Sequence, residues 1–167
     1  MSLNDDIEKI KQQEQELRFA SFTEADAWAL GSQMREACAR RKLPLVIDIR
    51  VGNRQLFYAA LPGTNPDNDH WVRRKANSVQ RFFKSSYLLG RELARDGKTL
   101  SANRHVDADD YVSDGGGFPI YVEGAGIIGA VTVSGVPQRD DHDFVVEQLC
   151  IYLKKDQASL ALGPERV

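Results

Sequence analysis

Three histidines, His70, His105 and His142, each stand among carboxylates: Asp67 and Asp69; Asp107, Asp109 and Asp110; Asp140, Asp141 and Asp143. A histidine beside carboxylates can hold a divalent ion or act as a tuned general base. Their spacings match no closed zinc motif, and His and Asp also serve as ordinary loop and helix-cap residues. His142 is the best placed, at a helix start just after a glycine-rich segment, and Asp141 beside it completes a candidate metal pair. A second group is cationic: Arg73, Arg74, Lys75, Arg81, Lys84, Arg91 and Arg95 could receive phosphate, carboxylate or propionate groups. Arg74 and Asn77, one helical turn apart, are the preferred ligand contacts. A solvated helix face balanced by acidic patches on a neighbouring subunit is the competing reading. Third, Gly115, Gly116 and Gly117 offer backbone N–H groups to an anion. They lack the Gly-Lys-Ser/Thr ending and following helix of a P-loop, so a hairpin corner is their plainer role. No Ser-His-Asp or Cys-His set can be assigned, and Ser134 in Val-Ser-Gly lacks the Gly-x-Ser-x-Gly elbow and reads as a strand end. The residues leave open whether the protein is an enzyme.

The elements that must position these groups follow from periodicity. Residues 5–17 are strong helix formers with a thin apolar stripe of Ile7, Ile10 and Leu17, expected on the surface or against a neighbouring subunit. Thr23 can cap a helix whose Ala27, Leu30, Met34, Ala37 and Cys38 share one face. Leu45–Val51 alternates as a strand, Gly52-Asn53 turns it, and Gln55–Leu61 returns antiparallel. Asn65 and Pro66 open a helix with Val72, Ala76, Val79 and Phe83 on one face. Ser85 or Ser86 caps another, bearing Leu89 and Leu93, and Asp96-Gly97 ends it. Residues 98–114 show no periodicity and are locally acidic. Phe118–Val122 and Ile127–Val133 flank Gly124-Ala125-Gly126 as a second hairpin, and a last helix buries Val145, Val146, Leu149 and Leu153. Two hairpins force antiparallel pairing, so the order predicts an α+β fold, a single antiparallel sheet with helices packed on it. The expected organisation is an N-terminal helix over 1–17, one domain over 18–160 and a flexible tail over 161–167.

At 167 residues, 42% of them apolar and 28% charged, the chain suits one globular domain. A net charge of −2 gives no general attraction to nucleic acid or anionic membranes. No apolar run approaches the ~20 residues of a membrane span, and the start lacks a signal-peptide pattern, so the expected location is cytoplasmic. Cys38 and Cys150 could bridge, but their helical apolar settings favour buried free thiols.

The run Arg74–Ser86, the block Gly116-Gly-Phe-Pro-Ile120, and Val133-Ser-Gly-Val-Pro-Gln138 with Asp141-His142 resemble an uncharacterised family of small cytosolic proteins. That family is grouped with the haem-degrading or haem-binding-protein-like domains, relatives of glycolate-operon accessory proteins and of a domain fused to cobalamin adenosyltransferases. The likeness covers roughly residues 18–160. It implies a profilin-like α+β fold, symmetric homo-oligomers, and haem as a candidate cofactor beside a divalent metal. The family pattern often places a His ahead of the Gly-Gly block, where this chain has Asp114, so that ligand is lost. No residue carries a haem-specific spacing. The resulting expectation is a homo-oligomer that binds a small anionic ligand near the Gly-rich hairpin through Arg74, Asn77, Gly116, Gly117 and His142. A non-catalytic scaffold that binds protein partners is the alternative. The apolar content of Ile127, Ile128, Ala130, Val131 and Val133 adds to the expectation of self-association.

Overall fold

The computed structural model describes residues 1–165. The chain runs α1 (Leu3–Glu16), α2 (Glu24–Arg41), β1 (Val46–Val51), β2 (Arg54–Ala60), α3 (Pro66–Phe82), α4 (Ser86–Arg95), α5 (Leu100–Arg104), β3 (Gly117–Val122), β4 (Gly126–Ser134), α6 (Gln138–Leu153) and α7 (Gln157–Leu160). The helix starts are written in the sequence. Thr23 and Asp26 form a capping box on α2, Asn65 and Asn68 do the same on α3 with Pro66 in its first turn, and Ser85 Oγ accepts from Leu88 N at 3.1 Å on α4.

The strands form one antiparallel sheet in the order β2-β1-β4-β3. Alternation then sorts the side chains into two faces. Ile47, Ile49, Phe118, Ile120, Val131 and Val133 join the α2 residues Leu30 and Met34 and the α6 residues Val145 and Leu149 in the main core. The opposite face is covered by α3, where Ala76 and Val79 meet Ala130. The expected α+β architecture, a single antiparallel sheet between helices, is what the chain adopts.

Several local readings differ from the sequence expectation. Ile7 and Ile10 are buried within the chain itself, against Tyr87, Leu88 and Leu162. Ile7 and Ile10 of the α1 stripe are therefore covered by α4 and the residues after α7, Leu17 joins the main core, and Ala130, Val131 and Val133 are buried, whereas Ile127 and Ile128 are half-buried. Phe83 leaves the α3 face because the helix ends at Phe82. It takes a left-handed φ of 54° and is exposed. A five-residue helix, α5, lies within the 98–114 stretch that shows no periodicity in sequence. Cys38 and Cys150 are buried free thiols. Of the tail, Leu162 packs under α1, and residues 166–167 lie outside the described residues.

Candidate functional site

The stripe of Val72, Ala76 and Val79 turns Lys75 inward as well, one position before Ala76 and four before Val79, and its side chain is 2% exposed. Its ammonium donates to Val133 O at 3.1 Å and to Asp141 Oδ2 at 2.9 Å. Asp141 stands in the first turn of α6, where its Oδ1 accepts from Val136 N at 3.2 Å. The ion pair thus ties α3 to α6 across the end of the sheet, where β4 leaves and β3 begins. Gly116 makes the approach possible. Its φ is +131°, and a Cβ there would lie 2.4 Å from Val133 O and 2.8 Å from Lys75 Nζ. A Cβ on Gly117 would lie 2.9 Å from Val79 Cγ2 and 3.2 Å from Ser86 Oγ.

Burial pushes the Lys75 ammonium down from its ordinary value, against the pull of Asp141 and of Asp114. It pushes Asp141 up to about 6, against Lys75 and the backbone N–H groups of Val136 and Gly135. Both shifts favour the neutral forms, as expected where desolvation outweighs pairing. The pair opens onto a cleft of about 230 Å3, lined also by Asn68, Trp71, Asp114, Ser134 and Gln138. An ammonium has three donors, and Lys75 uses two of them. The third can reach a ligand oxygen, Ser134 adds a hydroxyl, Asp114 can accept from a ligand donor, and the Trp71 indole forms a flat wall.

Arg74 stacks on Trp71 at 4.8 Å, and its Nε donates to Ala108 O at 3.0 Å. Asn77 Nδ2 donates to Asp110 O at 2.9 Å, and Arg73 pairs with Asp110. The cationic face of α3 therefore holds the chain's own acidic loop at 107–112. Asp141 lines the cleft, Gly116 packs against Lys75 and Asp141, Gly117 lies in the interior against Val79 and Ser86, and Arg74 backs the indole wall. His142 does not join them. It follows Asp141 on α6 but points away into the core, 1% exposed, with Nε2 2.8 Å from Gln13 Oε1 and its ring 5.0 Å from that of Tyr87. Gln13 Nε2 already donates to Leu160 O, so Gln13 Oε1 accepts from His142 Nε2, and Nδ1 has no partner among the described residues. Burial, and then Arg139, hold His142 down to about 3, so it is neutral at ordinary pH. His70 and His105 are exposed. Among the described residues no group of three or more His, Cys, Asp or Glu is arranged to hold a metal ion.

Haem, implied by the family likeness, needs an axial His, Cys, Met or Tyr facing the site. The cleft is lined by none of these, so haem does not fit it. Sequence reasoning placed Lys75 in the basic run but missed its role, and it missed Trp71 and Asp114 as lining residues. Only the register of Lys75 with the buried stripe could have distinguished it.

A model of the family described as haem degrading protein HbpS-like matches residues 22–150. A UPF0303 protein of Rhizobium etli (strain CIAT 652) is 51% identical over 164 residues, covering 98% of this chain and 99% of that protein. Among solved structures, the Ybr137w protein superposes with a TM-score of 0.83 at 28% identity, over 92% of this chain and 94% of its own. The PduOC:heme complex superposes with a TM-score of 0.66 at 17% identity, over 79% of this chain and 94% of its own, a likeness of fold alone.

Proposed function

The chain belongs to the HbpS-like haem-degrading protein family, and from that premise we propose that it binds a small anionic ligand in the Lys75–Asp141 cleft. One observation carries this reading: a buried ammonium with an unused donor lines a cleft walled by an indole and a carboxylate. A ligand carboxylate or phosphate oxygen takes the third Lys75 donor, and a hydroxyl or amine on the same ligand donates to Asp114. Trp71 covers the apolar part of the ligand, and the Arg74 guanidinium behind the indole adds to the local positive potential. The haem seen with the structural neighbour PduOC makes haem a necessary comparison probe, although this cleft supplies it no axial ligand.

The test uses Trp71 as its own reporter. In a Trp28→Phe background Trp71 is the sole tryptophan, since the chain has two. Small hydroxy- and amino-carboxylates, phosphate monoesters and haem are titrated while its emission is followed. A saturable change with one of the anions is expected, weakened at least ~10-fold in Asp114→Asn or on raising salt if the contact is partly exposed. Saturation by haem alone, or no response to any probe, overturns the reading.

A further inference from the structure

Helix α3 borders a second cleft, of about 290 Å3, which shares no lining residue with the first. Asp69 and Val72 of α3 line it, with Asp48 and Arg50 of β1 and Gln55 and Tyr58 of β2. Strand alternation puts Ile47 and Ile49 in the main core and turns Asp48 and Arg50 to the other face, under α3. On β2 the same placement needs an irregularity. Ile49 pairs with Phe57, but Arg50 pairs with Gln55, so Leu56 is an extra residue. Leu56 and Phe57 both pack on the main core, and Gln55 is thereby turned toward Asp48, where its Nε2 donates to Oδ1 at 2.6 Å. Bulges of this kind re-aim side chains beside binding sites.

The charges in this cleft are only partly spent on one another. Asp48 is fully buried and accepts from Arg50 Nε at 2.7 Å and from Arg50 Nη2 at 2.8 Å. Those two bonds use one edge of a guanidinium that carries five N–H donors. The outer fork, two donors on Nη1 and one on Nη2, has no acceptor among the described residues. Asp48 thus fixes the guanidinium and leaves free the edge that suits a carboxylate. At the rim the Tyr58 hydroxyl donates to Asp69 Oδ1 at 2.5 Å, and Asp69 Oδ2 receives no donor among the described residues. Val72 supplies a buried apolar wall. Two carboxylates against one guanidinium disfavour a ligand that brings only negative charge.

We propose that this second cleft binds a free amino acid with a small uncharged side chain. The ligand carboxylate takes the outer fork of Arg50, its ammonium takes the open oxygen of Asp69, and its side chain lies against Val72. Asp48 and Gln55 are positioning residues, holding the guanidinium in place without touching the ligand. An acidic side chain would add to the surplus negative charge of the lining, so the acidic amino acids are selected against.

The test is heteronuclear NMR of the arginine Nε–H groups in the whole chain, with Arg50→Lys identifying the Arg50 signal by its loss. Glycine, L-alanine and L-valine are titrated beside isovalerate, which is valine without its ammonium, and isobutylamine, which is valine without its carboxylate. At least one amino acid is expected to shift the Arg50 signal saturably, and both analogues to bind at least ~10-fold more weakly than L-valine. Asp69→Asn keeps an acceptor for the Tyr58 hydroxyl and should weaken the amino acid at least ~10-fold, in a protein whose melting curve matches wild type. Trp71 emission reports on the first cleft and the Arg50 signal on the second, so the two sites are read separately. No shift with any of the three amino acids, an analogue that binds as tightly as L-valine, or equal affinity in folded Asp69→Asn would overturn the proposal.

Discussion

The two faces of the sheet are built from opposite materials. Under α2 and α6, Ile47, Ile49, Phe118, Ile120, Val131 and Val133 are at most 1% exposed, and none carries a polar side-chain atom. Under α3 and at its end, Asp48, Thr132, Lys75 and Asp141 are buried just as deeply. Asp48 accepts from Arg50 Nε at 2.7 Å, from Arg50 Nη2 at 2.8 Å and from Gln55 at 2.6 Å, whereas Thr132 Oγ1 has no partner among the described residues. The first face gains stability from burying apolar area. The second loses stability to desolvation that pairing only partly offsets. A fold that needed only stability could fill both faces with aliphatic side chains. Lys75 and Asp141 of this polar layer line the cleft, so the proposed ligand site lies on the costly side.

The largest expected effect breaks the apolar face. Phe118→Ala should lose ~3–5 kcal/mol in denaturant titration through cavity formation. A loss below ~1 kcal/mol would mean that this face does not dominate stability. Lys75→Ala strands a buried carboxylate and should cost about 3 kcal/mol. The paired replacement Lys75→Met with Asp141→Asn keeps the acceptor for Val136 N and should fall within ~1 kcal/mol of wild type. If the pair is worth as much as the single loss, the polar face is structural and the contrast fails. Gly116→Val forces a β-branched residue to a φ of +131° against Val133 O and should cost ~1–3 kcal/mol, read as a lowered melting temperature.

The smallest effect is a pH dependence at Glu14 on α1. Burial holds the Glu14 carboxyl up to about 7, although Ser85 N donates to it at 2.5 Å. Its folded value lies above its unfolded value, so the folded state binds the proton more tightly. Stability from this group is complete below about pH 4.5 and is lost as pH rises through 7. Glu14→Gln should therefore stabilise by ~1–2 kcal/mol at pH 8, with the difference shrinking toward pH 4.5. Equal stability of the two proteins across that range would remove the assigned burial.

Much of this contrast was legible in the sequence. The alternation of Leu45–Val51 set one apolar row of the sheet, and the glycines at 116 and 117 marked the close approach. Thr23, Asn65 and Ser85 announced the helix starts. What escaped was direction. Arg74 and Lys75 are neighbours in sequence, yet ~100° of helix rotation sends one to the acidic loop and the other into the cleft. The same rotation separates Asp141 from His142. Partner choice escaped too, because a charge run does not say whether loop or ligand neutralises it. The 107–112 loop answers Arg73, Arg74 and Asn77, and this pairing joins residues more than thirty positions apart.

Calorimetric titration of wild type and of the Lys75→Met, Asp141→Asn pair with the best anion from the Trp71 screen tests the central claim most directly. Saturable binding by wild type, weakened at least ~10-fold in a variant that melts like it, is the expected result. Equal affinity in the two proteins would contradict the account, because it would place the ligand away from the buried pair.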